Sequence, residues 1–264
     1  IPPIHIAYKI TNYAASLLNA MKLITLNIWG GRLKEPLLTF FKKHADTVDI
    51  FCLQEVFHQG KTRFKIFSGT VMDIYAQISA VLPDFNGFFA TPQINEFGLA
   101  TFVRNKIQVV QTGDMMVFRD KNSLAGEDGV MLPKNIQFVK LKNKNEKYTL
   151  INMHGLWNGK GKTDTSDRLG QSQKATAFLH TVKGKKILSG DLNLLPATKS
   201  LRLLEKGMRN LVSEYEVTST RSHFYTKPVK LADYILVSED VKVEDFKVMS
   251  DVVSDHLPLY IEFT

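Results

Sequence analysis

Six short polar clusters, each next to a hydrophobic run of strand length, constrain the fold of this chain more than any other feature. The clusters are Thr25-Leu26-Asn27, Gln54-Glu55, Asn152-Met153-His154, Gly190-Asp191-Leu192-Asn193, Ala232-Asp233 and Asp255-His256. Carboxylates, carboxamides and imidazoles are costly to bury unless they are paired or bind a metal. One such cluster is ordinary at a strand end, but six predict a single site assembled from several strand ends.

The spread of these clusters along the chain predicts one domain. The chain has 264 residues, of which 44% are hydrophobic and 10% aromatic, as in globular proteins with a full core. The clusters extend from Asn27 to His256, so any cut would divide the predicted site, and we expect one domain over residues 21–264. Residues 1–20 lack the segments of a signal peptide. We expect them to be an N-terminal extension, either cloning-derived or from a start upstream of Met21.

The net charge and the cysteine content indicate which partners and which cellular compartment suit this chain. The net charge is +8, which favours an anionic partner such as nucleic acid. No run approaches the roughly 20 apolar residues of a membrane-spanning helix. The single cysteine, Cys52, lies in an apolar run and is expected in the core. A chain that cannot form an internal disulfide fits a reducing compartment, and we expect a cytoplasmic monomer.

Strand-like and helix-like runs alternate along the chain. Apolar runs predict strands at residues 22–27, 49–53, 87–90, 98–104, 107–118, 136–141, 148–153, 185–189, 232–237, 243–248 and 259–263. Helical spacing predicts four helices, of which the first two begin near Pro36 and near Val71, the third has Ser166 or Asp167 as its N-cap, and the fourth begins at Pro196. The pattern favours sheets covered by helices, in an α/β or α+β layered architecture.

The residue types of the clusters favour a divalent cation. Glu55, Asp191 and Asp255 supply carboxylates, and Asn27 and Asn193 supply carbonyl oxygens. Such hard ligands suit Mg²⁺ or Mn²⁺ rather than zinc, for which the sequence offers no cysteine pair and no closely spaced histidines. Because Mg²⁺ binds one or two protein carboxylates together with substrate phosphate, the pattern indicates phosphoryl chemistry.

Two histidines add groups that transfer or donate protons. His256 has an unperturbed pKa of about 6.5, which suits a general base near neutral pH. Such a base needs a carboxylate to orient it, and Asp233 and Asp255 both qualify. Neighbours in an extended strand point to opposite faces, which favours Asp233 as the partner and leaves Asp255 on the metal side. His154, from another strand, is suited to donate to a phosphate oxygen.

The clusters and their flanking residues resemble, in order, the successive motifs of the endonuclease/exonuclease/phosphatase superfamily. The matching segments are Thr25-Leu26-Asn27, Leu53-Gln54-Glu55, Asn152-Met153-His154-Gly155, Gly190-Asp191-Leu192-Asn193, Ala232-Asp233-Tyr234-Ile235 and Ser254-Asp255-His256-Leu257-Pro258. The resemblance implies a four-layered α/β/β/α sandwich, with two mostly antiparallel sheets face to face and helices outside. It also implies hydrolysis of a phosphoester by an activated water with Mg²⁺. Glu55 would be the main metal ligand, with Asn27 beside it and Asp255 as a further metal-side carboxylate.

The same resemblance implies catalytic roles for the other cluster residues. Asp191 and Asn193 would position the water or assist the leaving group. Asp233 would orient His256, and His154 would bind the scissile phosphate. Either Asp191 or His256 can be the base that activates the water, and the sequence leaves both open.

Two loops that follow the clusters contain candidates for substrate contact. Glycines allow close approach of the backbone, cations attract phosphate, and tryptophan can stack on a base. The alternatives are ordinary loop residues and, for the last of the candidates, a helix cap. The candidates are Trp29, Arg32, Trp157, Lys160 and Arg168.

These observations favour a Mg²⁺-dependent hydrolase that cleaves a phosphodiester in nucleic acid. One alternative is a phosphoesterase of phospholipid, sphingomyelin or inositol phosphate. A lipid enzyme would need an exposed apolar hairpin, for which Phe88-Phe89 and residues 115–118 are candidates, although both are simpler to interpret as strands. A second alternative is an inactive nucleic-acid-binding module, which predicts lost ligands, whereas every expected position is filled.

Overall fold

Twelve strands form two β-sheets in the described part of the chain. The structure is a computed structural model that describes residues 20–61, 68–93, 97–123 and 131–264. Residues 1–19 of the expected N-terminal extension lie outside the described residues. The strands are β1 Met21–Asn27, β2 Ile50–Phe57, β3 Phe85–Ala90, β4 Phe97–Arg104, β5 Gln108–Phe118, β6 Lys134–Asn143, β7 Glu146–Met153, β8 Lys185–Asp191, β9 Met208–Asn210, β10 Asp233–Ser238, β11 Val243–Val248 and β12 Leu259–Phe263.

Five α-helices and one short 3₁₀ turn accompany the strands in the same residues. The turn covers Trp29–Gly31, directly after β1. The helices are α1 Lys34–His44, α2 Ile74–Val81, α3 Ser166–Thr181, α4 Lys199–Leu204 and α5 Leu211–Glu214.

Each sheet has one parallel pair of strands at its centre. The first sheet has the order β11-β12-β1-β2-β4-β3, and the second has the order β5-β6-β7-β8-β10-β9. Strands β1 and β2 are parallel, as are β7 and β8, and the other pairs are antiparallel. A parallel pair requires a crossover, and α1 and α3 lie in these two crossovers. The two strands of each central pair therefore end at the same edge of their sheet.

Alternation along the central strands separates two layers of core. In β1, Leu23 joins a core cluster that contains residues of both sheets, whereas Ile24 and Leu26 join a second cluster with side chains of α1 and α2. Helices α3 and α4 pack on the other sheet through side chains such as Ala175 and Leu201. This arrangement confirms the predicted α/β sandwich of two sheets with helices outside.

A buried polar seam joins the two sheets beside the end of each parallel pair. Gln54 Nε2 donates to Asn152 Oδ1 at 2.8 Å and to Thr25 Oγ1 at 3.1 Å. Asn152 Nδ2 donates to the carbonyls of Leu53 and Ala100 at 3.0 and 3.1 Å. Because buried polar groups need partners, these bonds set the position of one sheet on the other. Gln54 and Asn152, two of the cluster residues, therefore hold the sheets in register.

Some predicted helix boundaries differ from the structure for reasons of capping. Thr165, rather than Ser166 or Asp167, caps α3, because its Oγ1 accepts the N–H of Arg168. Helix α4 begins at Lys199 and not near Pro196, since the Thr198 side chain caps it. A threonine oxygen that accepts an orphan N–H decides the first turn in both helices.

The apolar segments considered for membrane contact are strands. Phe88 lies in β3 and Met115 in β5, and both pack partly buried against the core. Among the described helices, none combines the length and the apolar character that crossing a bilayer requires.

Candidate active site

The predicted site residues come together where the central parallel pairs end. Asn27 ends β1, Glu55 lies near the end of β2, His154 follows β7, and Asp191 ends β8. The antiparallel neighbours of these strands begin at the same edge, so that Asp233, the first residue of β10, pairs in register with Asp191. The fold thus delivers polar side chains from both sheets to one place.

Local backbone distortions aim two of these side chains. Glu55 has φ +58° and lies at a bulge between Gln54 and Val56 in the pairing of β2 with β4. Asn193 has φ +51°. Non-glycine residues rarely adopt such angles, and bulges beside sites commonly redirect a side chain.

Asn27 holds two carboxylates close together. Its Nδ2 donates to Glu55 Oε1 and to Asp191 Oδ2, at 3.0 Å in each case. Its Oδ1 accepts the backbone N–H of Trp29 at 3.0 Å. The amide nitrogen of Asn27 thus faces the two carboxylates and positions them, and the expected role of its oxygen as a metal ligand stays a prediction.

His256 is paired with Asp233, the partner that the sequence analysis favours. Its Nδ1 lies 2.8 Å from Asp233 Oδ1, and Thr220 Oγ1 donates to the other oxygen of Asp233 at 2.6 Å. The guanidinium of Arg221 donates to His256 Nε2. An imidazole that accepts at Nε2 carries its proton on Nδ1 and donates it to Asp233. His256 is therefore held in the neutral tautomer that a general base requires.

Burial shifts the proton affinities of this pair. The pKa of His256 is lowered to about 4, chiefly by burial and further by the Arg221 charge. Burial also raises the pKa of Asp233 to about 6, against the opposing effect of Arg221. A neutral His256 is thus favoured at physiological pH.

His154 faces the carboxylates and has a cation behind it. Its Nε2 lies 3.8 Å from Glu55 Oε1 and 3.9 Å from Asp191 Oδ2. Its Nδ1 lies 3.4 Å from Nζ of the buried Lys134. Burial lowers the pKa of Lys134 to about 8 and, with the neighbouring Lys134 charge, lowers the pKa of His154 well below its usual value. A neutral His154 whose Nδ1 accepts from Lys134 has its Nε2–H available for an acceptor in the site.

Lys134 and Arg221 belong to the site although no sequence motif indicates them. Arg221 lies at ion-pair distance from Asp255, with Nη1 2.9 Å from Oδ2, and its Nη2 lies 3.8 Å from Asp191 Oδ2. Asp255, expected on the metal side, is therefore ion-paired with arginine in this structure. No short sequence motif marks either cation, because strand pairing brings each of them to site residues that are distant in the sequence.

The site forms the floor of a cleft with a cavity volume of about 300 Å³. Cations and aromatic rings line its walls. Lys227 Nζ lies 5.2 Å from the Trp157 ring centroid, and the Arg32 guanidinium lies 4.8 Å from the Trp29 ring centroid. The lining residues are Trp29, Arg32, Glu55, Thr70, Phe97, Met131, Leu132, Lys134, His154, Trp157, Lys162, Asp191, Asn193, Arg221, Tyr225, Lys227, Asp255 and His256.

The structure places two of the expected substrate contacts outside the wall of the cleft. Arg168 is 1% exposed, and its guanidinium donates to the carbonyls of Leu156, Gly161 and Thr163. It neither caps a helix nor reaches the cleft but holds the loop after His154. Lys160 is exposed and stands outside the cavity wall, whereas Lys162, two residues later, is part of that wall.

The carboxylates of the floor fit a divalent cation. The Glu55 side chain is 25% exposed at the cleft, and its pKa is raised to about 7, mainly by burial and further by repulsion from Asp255 and Asp191. A carboxylate in this setting gains most from a cation, and an all-oxygen donor set suits Mg²⁺ or Mn²⁺. The closer group formed by Asp191, Asp233 and His256 has ligand atoms within 4.8 Å of one another, but the hydrogen bond of Asp233 to His256 accounts for it without a metal.

The sequence model of the Endonuclease/Exonuclease/phosphatase family matches residues 24–256, which include every cluster of the site. This chain belongs to that family. The resemblance seen in the motifs is thereby confirmed, and the chain is a phosphoesterase-family protein. Members hydrolyse phosphoester bonds and generally depend on divalent metal, so a phosphate-containing substrate follows for this family member.

Solved structures share its fold at low sequence identity. A Bacteroides thetaiotaomicron mannosyl-6-phosphatase has a TM-score of 0.69 and 18% identity, with 92% of this chain and 99% of that chain covered. D. rerio TDP2, in complex with single-strand DNA product, has a TM-score of 0.69 and 14% identity, with 93% and 99% covered. A Bacteroides vulgatus endonuclease/exonuclease/phosphatase has a TM-score of 0.68 and 17% identity, with 93% and 98% covered. A search of the curated proteins found no match.

Proposed function

We propose that this protein is a Mg²⁺-dependent phosphodiesterase that hydrolyses nucleic acid, with Mn²⁺ as an alternative ion. The observation that carries the proposal is the convergence on one oxygen, Asp191 Oδ2. Asn27 Nδ2 lies 3.0 Å from it, His256 Nε2 3.5 Å and His154 Nε2 3.9 Å. A metal-binding carboxylate, Glu55, completes this centre through the same Asn27 amide group.

The side chains take distinct roles in the proposed reaction. Glu55 would hold a divalent ion, which would supply Lewis-acid stabilisation of the scissile phosphate. His154 donates its Nε2–H to a non-bridging oxygen as charge develops. Asp191 and Asn193 position the water, and His256 accepts its proton at Nε2 after the bound substrate has drawn the Arg221 guanidinium away from that nitrogen.

The reaction balances as a hydrolysis. The water oxygen forms a bond to phosphorus while the bond from phosphorus to the leaving oxygen breaks. One proton passes from water to His256, which releases it to solvent, and the leaving oxygen takes up one proton from solvent. The other water proton stays on the phosphate, so that a phosphomonoester and an alcohol result. The hydrogen bond from Nδ1 to Asp233 stabilises His256 while it carries the proton.

The walls of the cleft support a nucleic-acid substrate. Cations such as Lys162 and Lys227 lie near the floor, where phosphate groups would bind. Trp29 and Trp157 line the same cleft and offer faces on which bases can stack. The net charge of +8 favours a polyanion over a neutral substrate.

A substrate panel tests the proposal. Purified protein with Mg²⁺ is assayed on single-stranded and duplex DNA, RNA, abasic DNA, 5′-tyrosyl DNA, sphingomyelin vesicles, inositol phosphates and hexose 6-phosphates. We expect hydrolysis of a nucleic acid and a loss of at least a hundredfold in Glu55→Gln and His256→Ala. Glu35→Gln is the matched control, because Glu35 is 79% exposed on α1.

The outcomes separate the proposal from its rivals. Turnover of a lipid, inositol or sugar phosphate, without turnover of nucleic acid, would show that the proposed substrate is wrong. Equal activity of wild-type protein and both active-site variants on a generic phosphodiester would refute the catalytic assignment and leave a binding module. A cytoplasmic location and a monomeric state stay predictions from the sequence.

A further inference from the structure

Arg221 occupies the end of the site opposite Glu55, where three polar groups of the floor meet. Its Nη1 donates to Asp255 Oδ2 at 2.9 Å and to His256 Nε2, and its Nη2 lies 3.8 Å from Asp191 Oδ2. The Arg221 side chain is only 5% exposed. A permanent positive charge is thus built into the active centre itself.

The fold holds this guanidinium in place. The backbone of Arg221 forms an antiparallel bridge with that of His256, and the next residue, Ser222, donates its N–H to the carbonyl of Asp255 at 3.1 Å. The ring of Tyr225 lies over the guanidinium, with 4.2 Å between Cζ and the ring centroid. Arg221 is therefore attached to the segment that carries the base, and stacking fixes the plane of its side chain.

Charge balance indicates what this arginine does. The described residues of the floor include four carboxylates, those of Glu55, Asp191, Asp233 and Asp255, beside a neutral His256. Arg221, the neighbouring Lys162 and one divalent ion would neutralise them, and the charge of Lys134 would then be matched by a bound phosphodiester anion. Two divalent ions beside Arg221 would leave two excess positive charges in a largely buried site, which is strongly unfavourable.

The ligands available at this end lead to the same conclusion. Asp255 Oδ2 is taken by Arg221, and both ring nitrogens of His256 are taken, one by Asp233 and one by Arg221. Sites with two metals hold the ions about 3.5–4 Å apart, so the second ion would have to displace the guanidinium. Arginine can replace a cation in phosphoryl transfer because its planar donors stabilise the developing charge on phosphate oxygens.

We propose that Arg221 is a fixed second cation of the active centre, so that this chain assembles its site around one divalent ion held at Glu55. The inference rests on the proposed metal-dependent function, and it adds a residue and an ion count to it. Arg221 then contacts the scissile phosphate from the side of His256, and Glu55 would hold the ion.

The test counts bound Mn²⁺ in the absence of substrate, from the free-ion signal in electron paramagnetic resonance. We expect one ion per chain in the wild type, two in Arg221→Met, and one in Arg221→Lys, which retains the charge. Lys227→Met is the matched control, since it removes a cation of the cleft wall and should still bind one ion. Turnover of a generic phosphodiester by Arg221→Met should fall at least a hundredfold at saturating substrate.

Each outcome decides between the inference and the proposed function. Two ions in the wild type, or one ion in a folded Arg221→Met, would overturn the inference and leave metal-dependent hydrolysis intact. No bound ion in the wild type would overturn both. The expected change from one ion to two, in a protein that does not cleave nucleic acid, would support the inference and refute only the substrate. Circular dichroism checks folding, and the wild-type count is decisive even if Arg221→Met does not fold.

Discussion

The two histidines of the site differ in the charge of the group at their Nδ1 nitrogen. His256 has Asp233 behind its Nδ1, whereas His154 has Lys134 at the corresponding nitrogen. A carboxylate partner stabilises an imidazole that becomes protonated, and a cationic partner disfavours protonation. Residues of the same type are thus suited to different tasks, His256 to accepting a proton and His154 to donating a hydrogen bond while neutral.

The partner of His256 provides the first prediction at this scale. Asp233→Asn should lower kcat about a hundredfold to ten-thousandfold with little change in KM, because the amide cannot stabilise the protonated imidazole. Steady-state kinetics on the best substrate of the panel measure this change. Asp245→Asn, at an exposed position of β11, is the control and should not alter kcat. An unchanged kcat in Asp233→Asn would exclude His256 as the base.

Glu55 provides a prediction for pH dependence. Its pKa, raised to about 7 by burial and by neighbouring carboxylates, means that protons compete with metal below that pH. The affinity for Mn²⁺ should be steady above pH 7 and should fall by up to tenfold per unit as the pH drops below it. Titration of Mn²⁺ from pH 5.5 to 8.5 measures the trend. Constant affinity across this range would mean that Glu55 is not the proton-linked ligand.

At the scale of elements, the strands that deliver the site are packed backbone against backbone at their ends. A Cβ added to Gly155 would lie 1.9 Å from the carbonyl oxygen of Leu192, and one added to Gly190 would lie 2.0 Å from that of Met153. Gly155 also donates its N–H to the carbonyl of Asp191 at 2.7 Å. The absence of side chains here allows β7 and β8 to bring His154 close to Asp191.

Gly155→Ala should therefore reduce both stability and activity. Relief of a contact with backbone requires the strands to separate, so we expect a loss of about 2 kcal/mol in the free energy of unfolding. Gly170→Ala is the control, since its Cβ would lie in open space on α3 and alanine favours a helix by about 0.5–1 kcal/mol. Urea unfolding compares the two variants. Equal stability of both would show that the tight contact of β7 and β8 does not constrain the fold.

At the scale of the whole molecule, the acidic floor is separate from the two apolar cores that hold the layers together. The core clusters consist of buried side chains of both sheets and their helices, and Glu55, the proposed metal ligand, belongs to neither. We therefore expect the chain to fold without the ion. Binding of the ion would nevertheless relieve the repulsion among carboxylates that the fold has brought together.

Removal of metal should consequently abolish activity and preserve the fold. With a chelator we expect turnover to vanish while the far-ultraviolet circular dichroism spectrum stays native. Mn²⁺ at a hundred times its dissociation constant should restore turnover and stabilise the protein by about 2.7 kcal/mol, seen as a rise of several degrees in Tm. Glu55→Gln is the control and should show no such rise. Loss of secondary structure on chelation would contradict the separation of core and site.

Much of this architecture could be predicted because its causes are local. Hydrophobic alternation depends on neighbours in sequence, so most strands and a layered architecture of sheets covered by helices followed from it, whereas the four-layered sandwich was implied by the family resemblance. The pairing of Asp233 with His256 was predicted correctly, but the reason given for it does not hold, because residues 253–255 form a bend and Asp255 Oδ1 lies 3.8 Å from His256 Nε2. Helix boundaries were less predictable, because the first residue of a helix depends on which side-chain oxygen accepts a free N–H of the first turn, here those of Thr165 and Thr198.

The sequence by itself determined that six polar clusters end hydrophobic strands in a fixed order, and hence one phosphoesterase site on a layered fold. The tertiary structure alone decided that Arg221 and Lys134 lie in this site and that Arg168 lies outside it and holds a loop. It also decided that the side-chain nitrogen of Asn27, rather than its side-chain oxygen, faces the carboxylates. The physical reason is that a side chain's partners across sheets depend on strand order and register. Those are consequences of packing over the whole chain and have no local pattern in the sequence.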